Sequence, residues 1–512
     1  MQHSSSDLFN YTSGRWLVND ALRHAERRLI FDVEGLCQLA AQSVGRSPAD
    51  VINFSKLAEG GFNRTFLITL RDGFQMVARI PYPVTVPKYY AVASEVATMD
   101  FLRSSGLPVP QVYGYSPTSE NAAKTEYIIM EWMKGTKLSD VWLELGDSDI
   151  VSILHQLAQL ESQMMSISFP ASGSLYYSHD LEKVSGRATI PLKDERFCVG
   201  PDTRLTLWYG RRSQLNVDRG PYKSAEAVLV GAAHKELAYL EQFGQPLLPF
   251  QRLRREGYGY KEQSPSDHIA NLNHYLLIVL SLIPKNPTLR GFHIRHPDLQ
   301  QSNIFVSKSP ESGWQVVGLL DWQHTSILPL FLLAGIPDRL QNAEDQTSQP
   351  LMPPSLPENL GELNESEQIQ AKEFYRRRLV HYQYVKNTAE CNELHYAALT
   401  DPAGMSLRRL FYLAGDPWEG ETLALKVALI EATEETMKLD AVQRESDKTF
   451  QLLQAMVGFE SEGWVFTTHY DEAMARSKQL KENALAVAAS VEEQDEIMTH
   501  WFLDNIDETN YM

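Results

Sequence analysis

The sequence predicts an α+β fold built as two lobes with a helical C-terminal extension, and three observations carry that expectation. Short alternating segments between Val51 and Ile80 read as a strand meander. The apolar period then changes to that of a helix between Ala91 and Arg103, and the last third of the chain is helical in pattern. With 512 residues, 43% of them hydrophobic and 22% charged, the chain can form one large unit or two to three domains of ordinary water-soluble composition.

In order along the chain, residues 1–50 form an N-terminal extension. Val51–Leu57, Arg64–Leu70 and Phe74–Ile80 predict three antiparallel strands, with Asp72-Gly73 as a tight hairpin turn between the last two. Val92, Val96, Met99 and Leu102 recur at helical spacing until Gly106 and Pro108 stop the run. Val112–Tyr115 and Tyr127–Glu131 add two strands, completing a first lobe over 51–132. Met133-Lys134-Gly135 leads into helix around Ser139–Met165, opening a second lobe over 133–340. Within it Phe169–Gly231, dense in Gly, Pro, Tyr and Arg, reads as an irregular insertion followed by a helix over Ala225–Phe243. Residues 341–365, with Pro350, Pro353, Pro354 and Pro357, read as exposed loop. Residues 366–512 form the helical extension, with helices near Ser366–Leu399, Trp418–Met437 and Tyr470–Asn505.

Charge and cysteine usage exclude several functions. Forty-seven Lys and Arg against 65 Asp and Glu leave a formal net charge of −18, which disfavours nucleic acid as a partner. Cys37, Cys198 and Cys391 are odd in number and far apart, so neither a disulfide framework nor a zinc site is expected. The longest apolar stretch, Tyr275–Ile283, ends at Pro284 and is about half of a membrane span. Ser4–Ser6, Arg15, Arg23, Arg27 and Arg28 resemble a mitochondrial presequence, but Asp7, Asp20 and Glu26 interrupt it.

The densest chemistry lies in His296-Pro297-Asp298-Leu299-Gln300-Gln301-Ser302-Asn303, then Ile304–Val306, a turn at Ser309–Gly313, a strand Val316–Leu320, and Asp321-Trp322. Taken singly, His296 reads as a loop histidine, Asp298 as a cap and Asn303 as a turn residue. Together they resemble the aminoglycoside phosphotransferase family, relatives of the protein kinases: His296, Asp298 and Asn303 match its H-x-D-x-x-x-x-N motif, and Asp321 matches its metal-binding aspartate. The resemblance implies a two-lobed protein-kinase-like fold. It also implies ATP- and Mg2+-dependent phosphoryl transfer to a hydroxyl on a small molecule.

The residue types suit that chemistry. A carboxylate within reach of the acceptor hydroxyl can take its proton, which is the role of Asp298, with His296 the second catalytic candidate. Asn303 offers an amide oxygen and Asp321 a full charge to the same metal ion.

Upstream, Glu59-Gly60-Gly61-Phe62-Asn63 lies between the first two strands, where Gly60 and Gly61 would let backbone N–H groups approach phosphate. Two adjacent glycines also make a simple hairpin, and G-x-G-x-x-G is absent. In Met76-Val77-Ala78-Arg79-Ile80, Arg79 stands where the family carries its nucleotide-binding lysine. Glu95, 16 residues on, is placed to pair with it. Glu131 and Trp132 resemble the hinge that meets an adenine edge, with Val77 or Ala78 above the base and Ile304 or Leu320 below. Two departures stand out: Gln323 replaces a second acid, and Leu299-Gln300-Gln301 replaces the His and Gly common in the antibiotic enzymes.

Tyr11–Trp16 and Val217–Pro221 resemble segments of a mitochondrial fungal branch, which implies a mitochondrial location, with a cytoplasmic one the expectation otherwise. The insertion and the C-terminal helices are expected to wall the acceptor site. The competing readings are a nucleotide-binding pseudokinase or scaffold, and an interaction protein whose C-terminal helices bind a partner. The acceptor and the oligomeric state stay open.

Overall fold

The computed structural model describes residues 7–184, 188–342, 351–432 and 440–512. Ser4–Ser6, Gly186, Pro350 and residues 433–437 of the helix expected over Trp418–Met437 lie outside them.

The hairpin turn forms where Asp72-Gly73 requires it. Gly73 takes φ 84°, its N–H bonds the Leu70 carbonyl at 2.9 Å, and Phe74 N–H bonds Asp72 Oδ1 at 3.0 Å. The left-handed backbone at Gly73 costs a residue without Cβ little. The five strands of the first lobe make one antiparallel sheet in the order Val51–Glu59, Asn63–Leu70, Gln75–Pro81, Tyr127–Glu131, Val112–Ser116.

Alternation sorts its two faces. Phe54, Phe66, Ile68, Met76, Ala78 and Ile80 pack with Leu8, Phe31 and Leu36. N-terminal helices Asp20–Arg27 and Val33–Ser43, the latter capped by Asp32 on Gly35 N–H at 2.9 Å, thus precede and close the first lobe. The intervening residues Thr65, Leu67, Val77 and Arg79, paired across the two strands, face helix Tyr90–Ser104 and the second lobe.

Gly135 takes the chain between lobes. Its φ is 137°, and a Cβ there would lie 2.7 Å from the Val306 carbonyl oxygen, so only glycine lets the backbone pass. Beyond it, helix Asp147–Met165 packs against helix Glu365–Cys391 and the hairpin Ile304–Ser309/Gly313–Leu319.

The stretch expected to be irregular contains a three-stranded antiparallel sheet, Ser174–Tyr177, Phe197–Gly200 and Ile190–Pro191, packed on helix Tyr90–Ser104. Strands of two to four residues are too short to show a period. Their burial is nevertheless complete at Phe197 and Val199.

C-terminally, Asn364 and Glu367 form a reciprocal cap that starts helix Glu365–Cys391. The single helix expected over Ser366–Leu399 is two, because Asn392 leaves helical geometry and caps Glu393–Thr400. Helix Pro402–Gly415, capped by Asp401 on Gly404 N–H, was not expected. Nor was Asp440–Val457, and Tyr470–Asn505 divides into Tyr470–Val487 and Val491–His500.

Leu407, Leu410 and Trp418 join one apolar cluster with Leu154, Leu157 and Ile304, so the helices between Glu365 and Ala432 complete the core of the second lobe, whereas Val457, Ala473 and Leu503 pack in a separate cluster with Leu17. Gly14–Trp16 pairs antiparallel with Trp464–Phe466, joining the two ends of the chain. Among the described residues all three cysteines are free and no helix is long and apolar enough to cross a membrane.

Candidate functional site

The loop 295–303 is fixed from behind. Arg295 Nε bonds Glu161 Oε1 at 2.7 Å and its Nη2 bonds the Tyr384 hydroxyl at 3.0 Å, while that hydroxyl donates to Glu161 Oε2 at 2.6 Å. Glu161 and Tyr384 come from the two packed helices, so C-terminal residues underpin the loop. His296 is buried. Its Nε2 donates to the Leu320 carbonyl at 2.8 Å, its Nδ1 accepts the Asp298 N–H at 3.1 Å, and burial pulls its pKa down to about 4. A neutral ring with both nitrogens engaged has none to offer a substrate, so the catalytic expectation for His296 gives way to a positioning one.

Asp298 is exposed at the rim of the loop. Asn303 Nδ2 donates to its Oδ2 at 3.1 Å and to its carbonyl at 3.0 Å, and Gln300 Nε2 donates to Oδ2 at 2.6 Å. Partial burial of the carboxyl raises its pKa, the Gln300 bond opposes this, and the charge of Asp321 adds to it. With Nδ2 turned to Asp298, the Asn303 oxygen is the atom suited to a cation.

Asp321 follows the hairpin strand Gly313–Leu319 with φ 67°, and His324 has φ 62°. Left-handed backbone at two residues other than glycine costs on the order of 1–3 kcal/mol each and persists only where surroundings enforce it. The enforcement is visible: Thr203 carbonyl accepts His324 Nδ1 at 2.8 Å, the Thr325 carbonyl accepts Ser174 Oγ at 2.8 Å, and Ile327 carbonyl accepts Ser172 Oγ at 2.7 Å. All three partners belong to the insertion. The insertion thus braces the loop that carries Asp321.

Arg79 joins the lobes. It bonds Glu95 Oε1, Asp321 Oδ1 at 2.6 Å and Gln323 Oε1 at 3.1 Å. With its amide turned to satisfy its neighbours, Asn63 accepts from Arg79 Nη2 at 2.6 Å. Burial pushes Glu95 up to about 7 although Arg79 pulls the other way. Burial also works against ionisation of Asp321, but the Arg79 guanidinium holds that carboxyl below the usual range.

The remaining sequence candidates are less engaged. Gly60 and Gly61 lie exposed in the turn, and neither is left-handed. A Cβ at Gly61 would meet nothing within 4 Å, and one at Gly60 only the Asn63 carbonyl oxygen at 3.6 Å. Open space above the turn, not backbone strain, is what these glycines provide. Glu131 is committed elsewhere: its N–H bonds the Gln111 carbonyl at 2.8 Å, and its carboxylate bonds Arg103 and Gln111 N–H, each at 3.1 Å. The Glu131 N–H is therefore spoken for within the sheet. Trp132 is half-buried against the main core. Val77, not Ala78, faces the cleft, since Ala78 is sealed on the opposite face; Ile304, only 1% exposed, is closed off as well.

Sequence reasoning did not single out Asn63, Arg295 or the Ser172–Ser174 and Asp202–Thr203 braces. The one available signal was Gln323, noted as a departure; its partners lie too far along the chain to be read locally.

A hard divalent ion fits the donor set. Asn303 supplies an amide oxygen and Asp321 a carboxylate of which Arg79 takes one oxygen, a sparse oxygen site of the kind Mg2+ completes with water and phosphate. Among the described residues no group of three or more His, Cys, Asp or Glu could hold a metal unaided.

A strand meander with a buried cation–carboxylate pair, joined to a helical lobe bearing an Asp–Asn loop and a following aspartate, is a kinase-like architecture of the phosphotransferase type. Residues 53–197 match the model of the phosphotransferase enzyme family, and the chain belongs to that family. It is 34% identical over 415 residues to a subtelomeric hrmA-associated cluster protein of Aspergillus fumigatus, covering 74% of this chain and 78% of the relative. Altered inheritance of mitochondria protein 9, mitochondrial, matches at 25% over 389 residues in Clavispora lusitaniae, 65% of this chain and 62% of that one. The protein of that name in Saccharomyces cerevisiae matches at 23% over 488 residues, 80% and 74%. Among solved structures, the ADP-bound aminoglycoside phosphotransferase APH(2'')-Ib aligns at TM-score 0.35 and 13% identity, over 80% of this chain and 98% of its own.

Proposed function

We propose that this protein transfers the γ-phosphate of ATP to a hydroxyl of a small molecule, with Asp298 as the base. The observation that supports this best is a set of neighbouring bonds: Asp298 to Asn303, and Asp321 to Arg79, which also holds Glu95, with Leu320 N–H bonding the Asn303 carbonyl at 2.8 Å between them. Asp298 accepts the proton of the acceptor hydroxyl, and its bond from Asn303 aims the carboxylate. His296 holds the loop that presents it. Arg79, oriented by Glu95, supplies positive charge where phosphate oxygens gather, and Asn303 and Asp321 would hold Mg2+. When bound, that ion would neutralise charge on the nucleotide phosphates. The location by resemblance to the mitochondrial relatives is mitochondrial.

The test is a thermal shift with ATP and Mg2+. Asp321→Ala abolishes the Mg2+-dependent part of the shift, while Asn303→Ala weakens it less, because a neutral amide gives a divalent ion less than a carboxylate does. An Asp321→Ala protein that shifts as wild type does refutes the site.

One observation favours a second reading, nucleotide binding without turnover. Arg79 already occupies one oxygen of Asp321. Nucleotide that binds with Mg2+ but is returned unhydrolysed and untransferred in every acceptor mixture supports that reading.

A further inference from the structure

The segment Tyr11–Trp16, which the catalytic reading leaves unused, meets the nucleotide-binding turn at one carboxylate. Glu59 ends the strand that enters the turn, immediately before Gly60. Its Oε2 accepts Thr12 N–H at 2.8 Å, Ser13 N–H at 2.8 Å, Ser13 Oγ at 2.8 Å and Thr12 Oγ1 at 3.2 Å. Its Oε1 accepts Lys56 Nζ and Arg64 Nε, both at 3.0 Å. The side chain is 1% exposed, although the two glycines beside it are open to solvent.

Both flanks of the turn are tied to the same arm. Glu59 pairs with Arg64 across the ladder, and Arg64 Nη1 donates to the Leu8 carbonyl at 2.9 Å. Lys56 Nζ donates to the Asn10 carbonyl at 3.3 Å. The arm is in turn fixed at its far edge: Gly14–Trp16 pairs with Trp464–Phe466, and Thr467 Oγ1 donates to the Thr12 carbonyl at 3.1 Å.

A Gly-Gly turn has more backbone freedom to lose than any other, and closing it over phosphate would spend that freedom at each binding event. Anchoring both flanks removes part of the loss beforehand, which is how preorganisation raises affinity. A surface strand needing only stability would not require six donors on one carboxylate at the mouth of a ligand turn.

We propose that Thr12 and Ser13, acting through Glu59, are positioning residues for the nucleotide: they hold the Gly60-Gly61 turn in its binding form and connect it to residues 464–467. This rests on the reading of the cleft as a nucleotide site.

The experiment uses the full chain and three variants. Glu59→Gln sets an NH2 group against donors on one side or the other, since both oxygens are in use. Ser13→Ala removes one donor, and Ser13→Thr keeps the hydroxyl. Titration with a fluorescent ATP analogue and Mg2+ gives about a tenfold loss of affinity for Glu59→Gln, the scale of one charge-assisted hydrogen bond. Ser13→Ala loses less, and Ser13→Thr binds as wild type. Without nucleotide, hydrogen exchange at amides 60–63 rises in Glu59→Gln and Ser13→Ala.

Wild-type affinity in folded Glu59→Gln, or unchanged exchange in the turn, overturns the proposal. If Glu59→Gln does not fold, Ser13→Ala decides by the same two readings. A wild-type protein that binds no nucleotide, yet whose turn loosens in Ser13→Ala, refutes the nucleotide reading and with it the ligand assigned to the turn.

Discussion

Arg79 carries a forked cation between two carboxylates, and a lysine could not serve both. One guanidinium nitrogen meets Glu95 and another meets Asp321 and Gln323, whereas an ammonium is a single point on a flexible stem. Arg79→Met leaves two buried or half-buried acids facing one another, which costs on the order of 3 kcal/mol of stability and lowers ATP affinity and turnover together. Arg79→Lys restores part of both, and Glu95→Gln is milder than Arg79→Met because the cation survives. Urea unfolding and nucleotide titration of the three variants read this order. Arg79→Met behaving as wild type would reduce the arginine to a bystander. Sequence alone gave the pairing with Glu95, because 16 residues from strand to helix is a short, readable path. It did not give Arg79 to Asp321, a bond spanning 242 residues.

The hairpins and the helix Tyr90–Ser104 were legible for the same reason: each is decided by a turn pair or an apolar period within a dozen residues. The insertion was not, since its strands are shorter than a period and its purpose lies in contacts made elsewhere. Asp202 is the clearest instance. Its side chain is fully buried, accepts Arg204 Nε at 2.7 Å and accepts the hydroxyl of Ser326, pinning the stretch that follows Asp321. Asp202→Ala strands a guanidinium and a hydroxyl, so it lowers unfolding stability by about 3 kcal/mol and reduces the Mg2+-dependent thermal shift. A loss of stability with an intact shift would separate the brace from the site. The helix Pro402–Gly415 carried its signs locally, an aspartate and a proline at its start and Leu407, Leu410, Phe411 and Ala414 at helical spacing, so it was legible although it was not read.

Across the whole molecule, residues 14–16 pair with 464–466 and the helices between Glu365 and Ala432 belong to the second lobe's core, which a reading of local pattern presents as an extension. Their packing carries a pH signature at Glu419. Burial, with Glu421 nearby, pushes this carboxyl up to about 7. A folded-state pKa above the unfolded one means the protonated form suits the fold: its stabilisation is complete below about pH 4.5 and is lost as pH rises through 7. Glu419→Gln has no such loss, so its melting temperature relative to wild type rises between pH 5 and pH 8; a pH-independent difference would contradict the assignment. The central claim, phosphoryl transfer with Asp298 as base, is tested most directly by incubating purified protein with ATP, Mg2+ and a metabolite extract and following mass gains of one phosphate. The account predicts a phosphorylated product with wild type and at least a ~100-fold slower appearance with Asp298→Asn, the scale of base catalysis, at nucleotide affinity within a few-fold of wild type. Product formed at an equal rate by Asp298→Asn would contradict it.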